Sequence, residues 1–188
     1  MSSSTVYSKE DYESNDGMLT TVWGPSQWHF LHTMSFNYPV NPTDKQKLAY
    51  RNYMLNLKNV LPCGKCRNNL KENYKKLPLK MSHMRSRETF SRYVYDLHEL
   101  VNDMLNKKSG LTYDQVRERY EHFRSRCTKT KRELLLKRRK TVKNKKTEKG
   151  CTEPLVGEKS KCILKIVPVK EKCETFSMDK KCVKQRGM

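Results

Sequence analysis

Cys63-Gly64-Lys65-Cys66 is the only C-x-x-C in this 188-residue chain, and its spacing supports redox chemistry. Two such sulfurs can close a disulfide when the first stands at a helix start and the second lies one turn inside. The unpaired amide hydrogens of that turn and the positive end of the helix dipole then favour thiolate, the reactive form of the sulfur. Cys63 is thereby expected as the exposed, attacked sulfur and Cys66 as the buried one, with Lys65 adding a positive charge beside them. Other chemistries use the same residues. Half a zinc site needs two further ligands, but the chain has no second C-x-x-C and no H-x-x-x-H, and Cys151, Cys162, Cys173 and Cys182 are spaced 11, 11 and 9 apart. A thioredoxin-like pair needs a preceding strand, and no strand pattern leads into Cys63. Two unreactive structural cysteines stay open as a reading, and no metal is expected.

Helices must position the pair. Trp28, Leu31, His32, Ser35 and Phe36 recur at helical spacing after Pro25-Ser26, giving one face of a first helix. Thr43 and Gln46 form a T-x-x-Q capping box, after which Tyr50, Tyr53, Leu57, Val60 and Leu61 repeat until Pro62. Pro62 can open the next helix, with Cys66, Leu70, Tyr74 and Leu77 along one side. A fourth run, Phe90, Val94, Leu97, His98, Val101 and Leu105, begins near Ser86 and closes before Gly110. A second capping box, Thr112 with Gln115, opens a short fifth helix carrying Val116, Tyr120 and Phe123. The predicted class is all-α, a four-helix bundle with a short fifth helix.

Composition limits what else the chain can be. Of 40 Lys and Arg, 20 lie from Thr128 onward, against 7 of the 20 Asp and Glu, and Phe176 is the only aromatic residue in that part. A folded front and a solvated back follow: a flexible 1–17, a domain over 18–127, and a basic, disordered C-terminal tail over 128–188. Within the tail, Lys137 to Lys146 could bind nucleic acid or an acidic surface weakly, but it lacks aromatic residues for base stacking. No stretch is long and apolar enough to span a bilayer, and the N-terminus has no signal core, so a soluble protein is expected. Cysteines in such a protein are usually reduced, metal-bound or catalytic. A zinc-stabilised, basic nucleic-acid-binding protein is therefore the rival to a redox enzyme.

Three blocks carry a more specific signal. Trp23-Gly24-Pro25, Trp28, Leu31-His32 and Tyr38-Pro39 come first, Cys63 and Cys66 second, and His98, Val101, Asn102 and Lys107 third. In that order they resemble the Erv/ALR family of FAD-linked sulfhydryl oxidases, from Met18 to about Cys127. The wording of the first block is most similar to versions from large cytoplasmic DNA viruses. The resemblance implies a helical bundle holding FAD at its mouth, usually as a homodimer. It implies FAD contacts from Trp23, Trp28, His32, Tyr38, His98, Val101, Asn102, Lys107 and Tyr120. It also implies a thiol oxidase working in host cytoplasm or virion, taking electrons from a protein dithiol, such as a thioredoxin-like relay protein, and passing them to oxygen to give hydrogen peroxide.

The chain departs from the family pattern in its staples. Tyr74 to Tyr95 lacks the cysteines of a second pair that commonly clamps the third helix to the fourth. Cys127 resembles the far member of another disulfide whose near member is missing from Leu111 to Gln115, and Tyr120 and Phe123 stand where tryptophans are usual. Family members often relay electrons through an extra cysteine pair, which here would have to come from Cys127 and the four tail cysteines.

Overall fold

The computed structural model describes residues 7–121, 123, 163–164 and 176–177. The chain divides into two compact units, Met1–Ser109 and Gly110–Met188. The first is a helical bundle. A single-turn helix α1 (Lys9–Tyr12) precedes four long helices, α2 (Thr20–Phe36), α3 (Asp44–Val60), α4 (Gly64–Lys76) and α5 (Arg87–Met104), with a 3-10 turn at Met81–Met84 between the last two. In the second unit, α6 spans Tyr113–Glu121, and Ile163–Leu164 pairs antiparallel with Phe176–Ser177. The rest of the tail, including its cysteines and Lys137 to Lys146, lies outside the described residues. The N-terminal stretch that the sequence left as a flexible lead carries α1, closed by a Ser8 and Asp11 capping box.

Local chemistry explains the helix starts. The Thr43 side chain accepts from the Gln46 backbone N–H while the Gln46 side chain accepts from that of Thr43, so two otherwise orphaned donors are satisfied. Thr43→Ala is expected to lower unfolding stability by about 1 kcal/mol, read as a lower urea midpoint with an unchanged slope. Thr112 and Gln115 make the same reciprocal arrangement ahead of α6. Ser86 caps α5 with Thr89. α5 ends at Met104, before Gly110 as expected, and Asn106 adopts a left-handed conformation at φ 53° just beyond it. Asn106 N–H then donates to Asp103 O and Lys107 N–H to Asn102 O, a Schellman closure.

Twelve buried residues form the core: Leu31, Tyr38, Met54, Leu57, Leu70, Tyr74, Leu79, Met84, Phe90, Tyr93, Val94 and Leu97. α2 packs on α5 and α3 on α4, while the 3-10 turn bridges α5 and α3. The buried stripe of α3 differs from the expected one. It runs through Tyr50, Met54, Leu57 and Leu61, whereas Tyr53 and Val60 are exposed. Tyr53 instead meets Phe30 of α2 edge-on at the outer surface, with ring centroids 6.3 Å apart.

Where the family's second cysteine pair is missing, buried phenols tie the elements. Tyr93 Oη on α5 donates to Leu77 O just past α4 at 2.9 Å, Tyr74 Oη on α4 donates to Met54 O on α3 at 2.6 Å, and Tyr38 Oη donates to Met84 O at 2.9 Å. Each joins a buried ring to a carbonyl at least 16 residues away. Apolar burial and hydrogen-bond satisfaction thus act on one side chain. Burial raises the ionisation of Tyr74 and Tyr93 well above that of a free phenol, so both stay neutral donors.

Candidate active site

Cys63 is the N-cap of α4, in extended conformation, and its Sγ accepts the backbone N–H of Cys66 at 3.2 Å. Pro62 therefore lies ahead of the cap and not in the first turn. Cys63 and Cys66 are joined as a disulfide with their Cα atoms 5.2 Å apart, within the ordinary range for such a bond. Burial does not separate the two cysteines, since both are partly exposed; their neighbours do. Gly17 packs on Cys63: a Cβ placed there would come within 3.3 Å of Cys63 Cα. Cys66 Sγ faces the hydroxyl of Thr20 at 3.4 Å. The Arg67 guanidinium donates to Leu61 O, tying α4 to the end of α3. Lys65 is exposed.

Further along α2 stands a second group. The Trp28 indole stacks on the His98 ring of α5, with centroids 4.0 Å apart and planes 7° from parallel. His98 Nδ1 lies 2.9 Å from Nε2 of His32, which is buried. A bond that short between two imidazoles needs one donor and one acceptor, and therefore at least one neutral ring. Burial holds His32 at about 3, aided by the nearby His98 and His29, and holds His98 at about 4 against the opposing pull of Glu99. Both rings are neutral at neutral pH. Val101 and Asn102 follow on α5, half-buried, with Asn102 Nδ2 donating to Glu99 Oε1 at 3.0 Å. The Schellman closure brings the exposed Lys107 back to Asn102.

These residues suit a large planar cofactor with polar edges. The test lies in Gln27, whose Nε2 is buried and has no hydrogen-bond partner among the described residues. A buried amide donor left so costs about 1–3 kcal/mol, and a carbonyl, ring nitrogen or hydroxyl of a flavin or its ribose would satisfy it. Thr20, Gly24 and Gln27 are spaced i, i+4 and i+7 and share one face of α2. That face leads from Thr20, beside Cys66, to Trp28 over about 12 Å of helix rise. Gln27 and Thr20 belong to no motif and were missed in the sequence, where only the helical register of α2 points to them.

Three expected contacts have partners within the protein. Tyr38 is 0% exposed, its ring sits against Tyr50 and Phe90, and its hydroxyl donates to Met84 O. Trp23 is half-buried, and its Nε1–H donates to Met18 O at 3.1 Å. In the second unit, Tyr120 meets Phe123 edge-on at 5.0 Å. Among the described residues no group of three or more His, Cys, Asp or Glu could hold a metal ion, and no helix is long and apolar enough to cross a membrane.

Known proteins are similar to this chain in sequence and fold. A model of the Erv1 / Alr family matches residues 25–121. A probable FAD-linked sulfhydryl oxidase of Acanthamoeba polyphaga mimivirus is 39% identical over 104 residues, 55% of this chain and 72% of the relative. An FAD-linked sulfhydryl oxidase of African swine fever virus (isolate Warthog/Namibia/Wart80/1980) is 30% identical over 99 residues, 53% of this chain and 80% of that one. Among solved structures, the yeast Erv1 core superposes with a TM-score of 0.50 at 25% identity, covering 64% of this chain and 95% of its own. The FAD-binding domain of Erv1 from Saccharomyces cerevisiae does so with the same score and identity over 55% and 94%. Since the matched span runs through the helix-capping disulfide and the stacked Trp28 and His98, the chain belongs to the Erv1 / Alr family and is an FAD-linked sulfhydryl oxidase.

Proposed function

We propose that Cys63 and Cys66 are the redox pair of this oxidase and that Trp28, His32, His98, Val101, Asn102 and Lys107, with Trp23, hold the FAD. The carrying observation is that one helix, α2, meets Cys66 at its first residue and stacks Trp28 on His98 two turns later. A substrate thiolate attacks Cys63 Sγ, the S–S bond breaks, and its electron pair leaves on Cys66 Sγ. A second substrate thiolate then attacks the substrate sulfur of the mixed disulfide, so the substrate becomes a disulfide and Cys63 leaves as thiolate. Bound FAD supplies the two-electron acceptor that restores the protein disulfide, with oxygen as final acceptor and hydrogen peroxide as product. Neutral His32 and His98 hold the aromatic stack without placing a charge beside the cofactor. The Cys66 N–H and the start of α4 favour the thiolates.

The substrate is proposed to be a protein dithiol, a thioredoxin-like relay protein among them, and the place of action to be host cytoplasm or virion; the viral relatives support a viral role. Exposed Phe30 and Tyr53, which meet edge-on at the outer surface of α2 and α3, support a homodimer. Purified protein loaded with FAD is expected to consume oxygen with a dithiol and release one peroxide per oxygen. A flavin-loaded protein that leaves oxygen untouched would refute the reading.

A further inference from the structure

Thr20 opens α2 without capping it. The N-cap position is Leu19, and no side chain bonds the first amides of the helix. A threonine at the N-cap position itself would turn its hydroxyl to those amides; Thr20 stands one residue inside the helix. Here Oγ1 faces Cys66 Sγ, 46 residues away in sequence, at 3.4 Å. Because Cys66 is in a disulfide and carries no hydrogen, the hydroxyl is the donor.

The hydroxyl is held there by a short strap. Met18 N–H donates to Pro62 O at 2.8 Å, which ties the strap to the residue before Cys63. Met18 O in turn accepts the Trp23 indole N–H at 3.1 Å, which ties it to the first turn of α2. Gly17 lies so close to Cys63 that an added Cβ would meet Cys63 Cα at 3.3 Å and Pro62 O at 3.4 Å. The strap from Gly17 to Thr20 thus touches both cysteines, and Thr20 is fixed at the one from which the electron pair departs.

Resting on the assignment of Cys63 and Cys66 as the redox pair, we infer that Thr20 is a further catalytic residue, whose hydroxyl donates a hydrogen bond to Cys66 Sγ as that sulfur becomes a thiolate. When a substrate thiolate forms its bond to Cys63 Sγ, the S–S bond breaks and both its electrons go to Cys66 Sγ. No proton moves, and Thr20 keeps its own. The hydrogen bond strengthens as negative charge develops on the sulfur, so it favours the leaving state over the disulfide. Trp23 acts through Met18 as a positioning residue for this contact, which gives its indole a role apart from any stacking on the cofactor.

The test reads the thiolate directly. In full-length, FAD-loaded Cys63→Ser protein, the alkylation rate of Cys66 is followed across pH by mass spectrometry of its own peptide, so that other cysteines do not contribute. The charged side chains of the flanking segments are Asp16 before the strap and Lys65 and Arg67 on α4, and the substitutions leave all three in place. Thr20→Val, which keeps the shape and removes the donor, is expected to raise the midpoint of Cys66 alkylation by about one pH unit. Thr20→Ala should do the same, and Thr20→Ser should restore the parent midpoint. Thr20 is exposed, so the thermal midpoint of each variant should stay near that of the parent. An unchanged alkylation midpoint in both Thr20→Val and Thr20→Ala would overturn the inference. Failure of the redox assignment would appear differently, as turnover surviving Cys66→Ser.

Discussion

Cys66→Ser is expected to lower dithiol-driven oxygen consumption on the order of 1,000-fold or more, to the level of free flavin. The hydroxyl of serine cannot join Cys63 in a disulfide, so the electrophile that a substrate thiolate attacks is gone. Cys63→Ser should lose turnover as fully, yet the two variants should differ in colour. With Cys63 replaced, Cys66 is a lone thiol at the start of α4 and against Thr20, where its thiolate can face the flavin and add long-wavelength absorbance. With Cys66 replaced, no such absorbance should appear. Equal activity in both variants and the parent would place the chemistry at other cysteines.

Trp28→Ala is expected to weaken FAD binding on the order of 100-fold, since it deletes one face of a ring stack and a large apolar surface. His98, stacked on Trp28 at 4.0 Å, would lose its support as well. Trp28→Phe should recover most of the affinity. Titration of FAD fluorescence gives the dissociation constant, and the thermal midpoint of the flavin-free variant separates cofactor loss from general unfolding. Trp28 packs against the edge of the core and is not among its twelve buried members. The fold should therefore survive a change that empties the site.

The boundary between what was readable in the chain and what was not follows the range of the interactions. Helix starts are local, so Thr43 with Gln46 and Thr112 with Gln115 could be read three residues apart. The position of Cys63 at a helix start follows the same logic. The end of α5 is local too, but Asn106 was passed over because asparagine adopts the left-handed conformation less routinely than glycine. Tyr38 shows the other limit. Its aromatic ring is as good a core residue as a cofactor contact, and its 46-residue reach to Met84 is not legible locally. Thr20 and the three phenol-to-carbonyl ties are likewise set by partners distant in sequence, and Gln27 Nε2 finds none among the described residues. Periodicity overstated the buried stripe of α3 because Tyr53 at helical spacing has an aromatic partner on the outer surface.

The account stands on electrons passing from the Cys63 and Cys66 pair to bound FAD. Anaerobic rapid mixing of flavin-loaded protein with a dithiol, followed at the flavin absorbance, tests this in one trace. Loss of the oxidised-flavin absorbance in the parent protein, absent in Cys66→Ser at equal flavin content, is the predicted result. Bleaching at the same rate in both proteins would contradict the account.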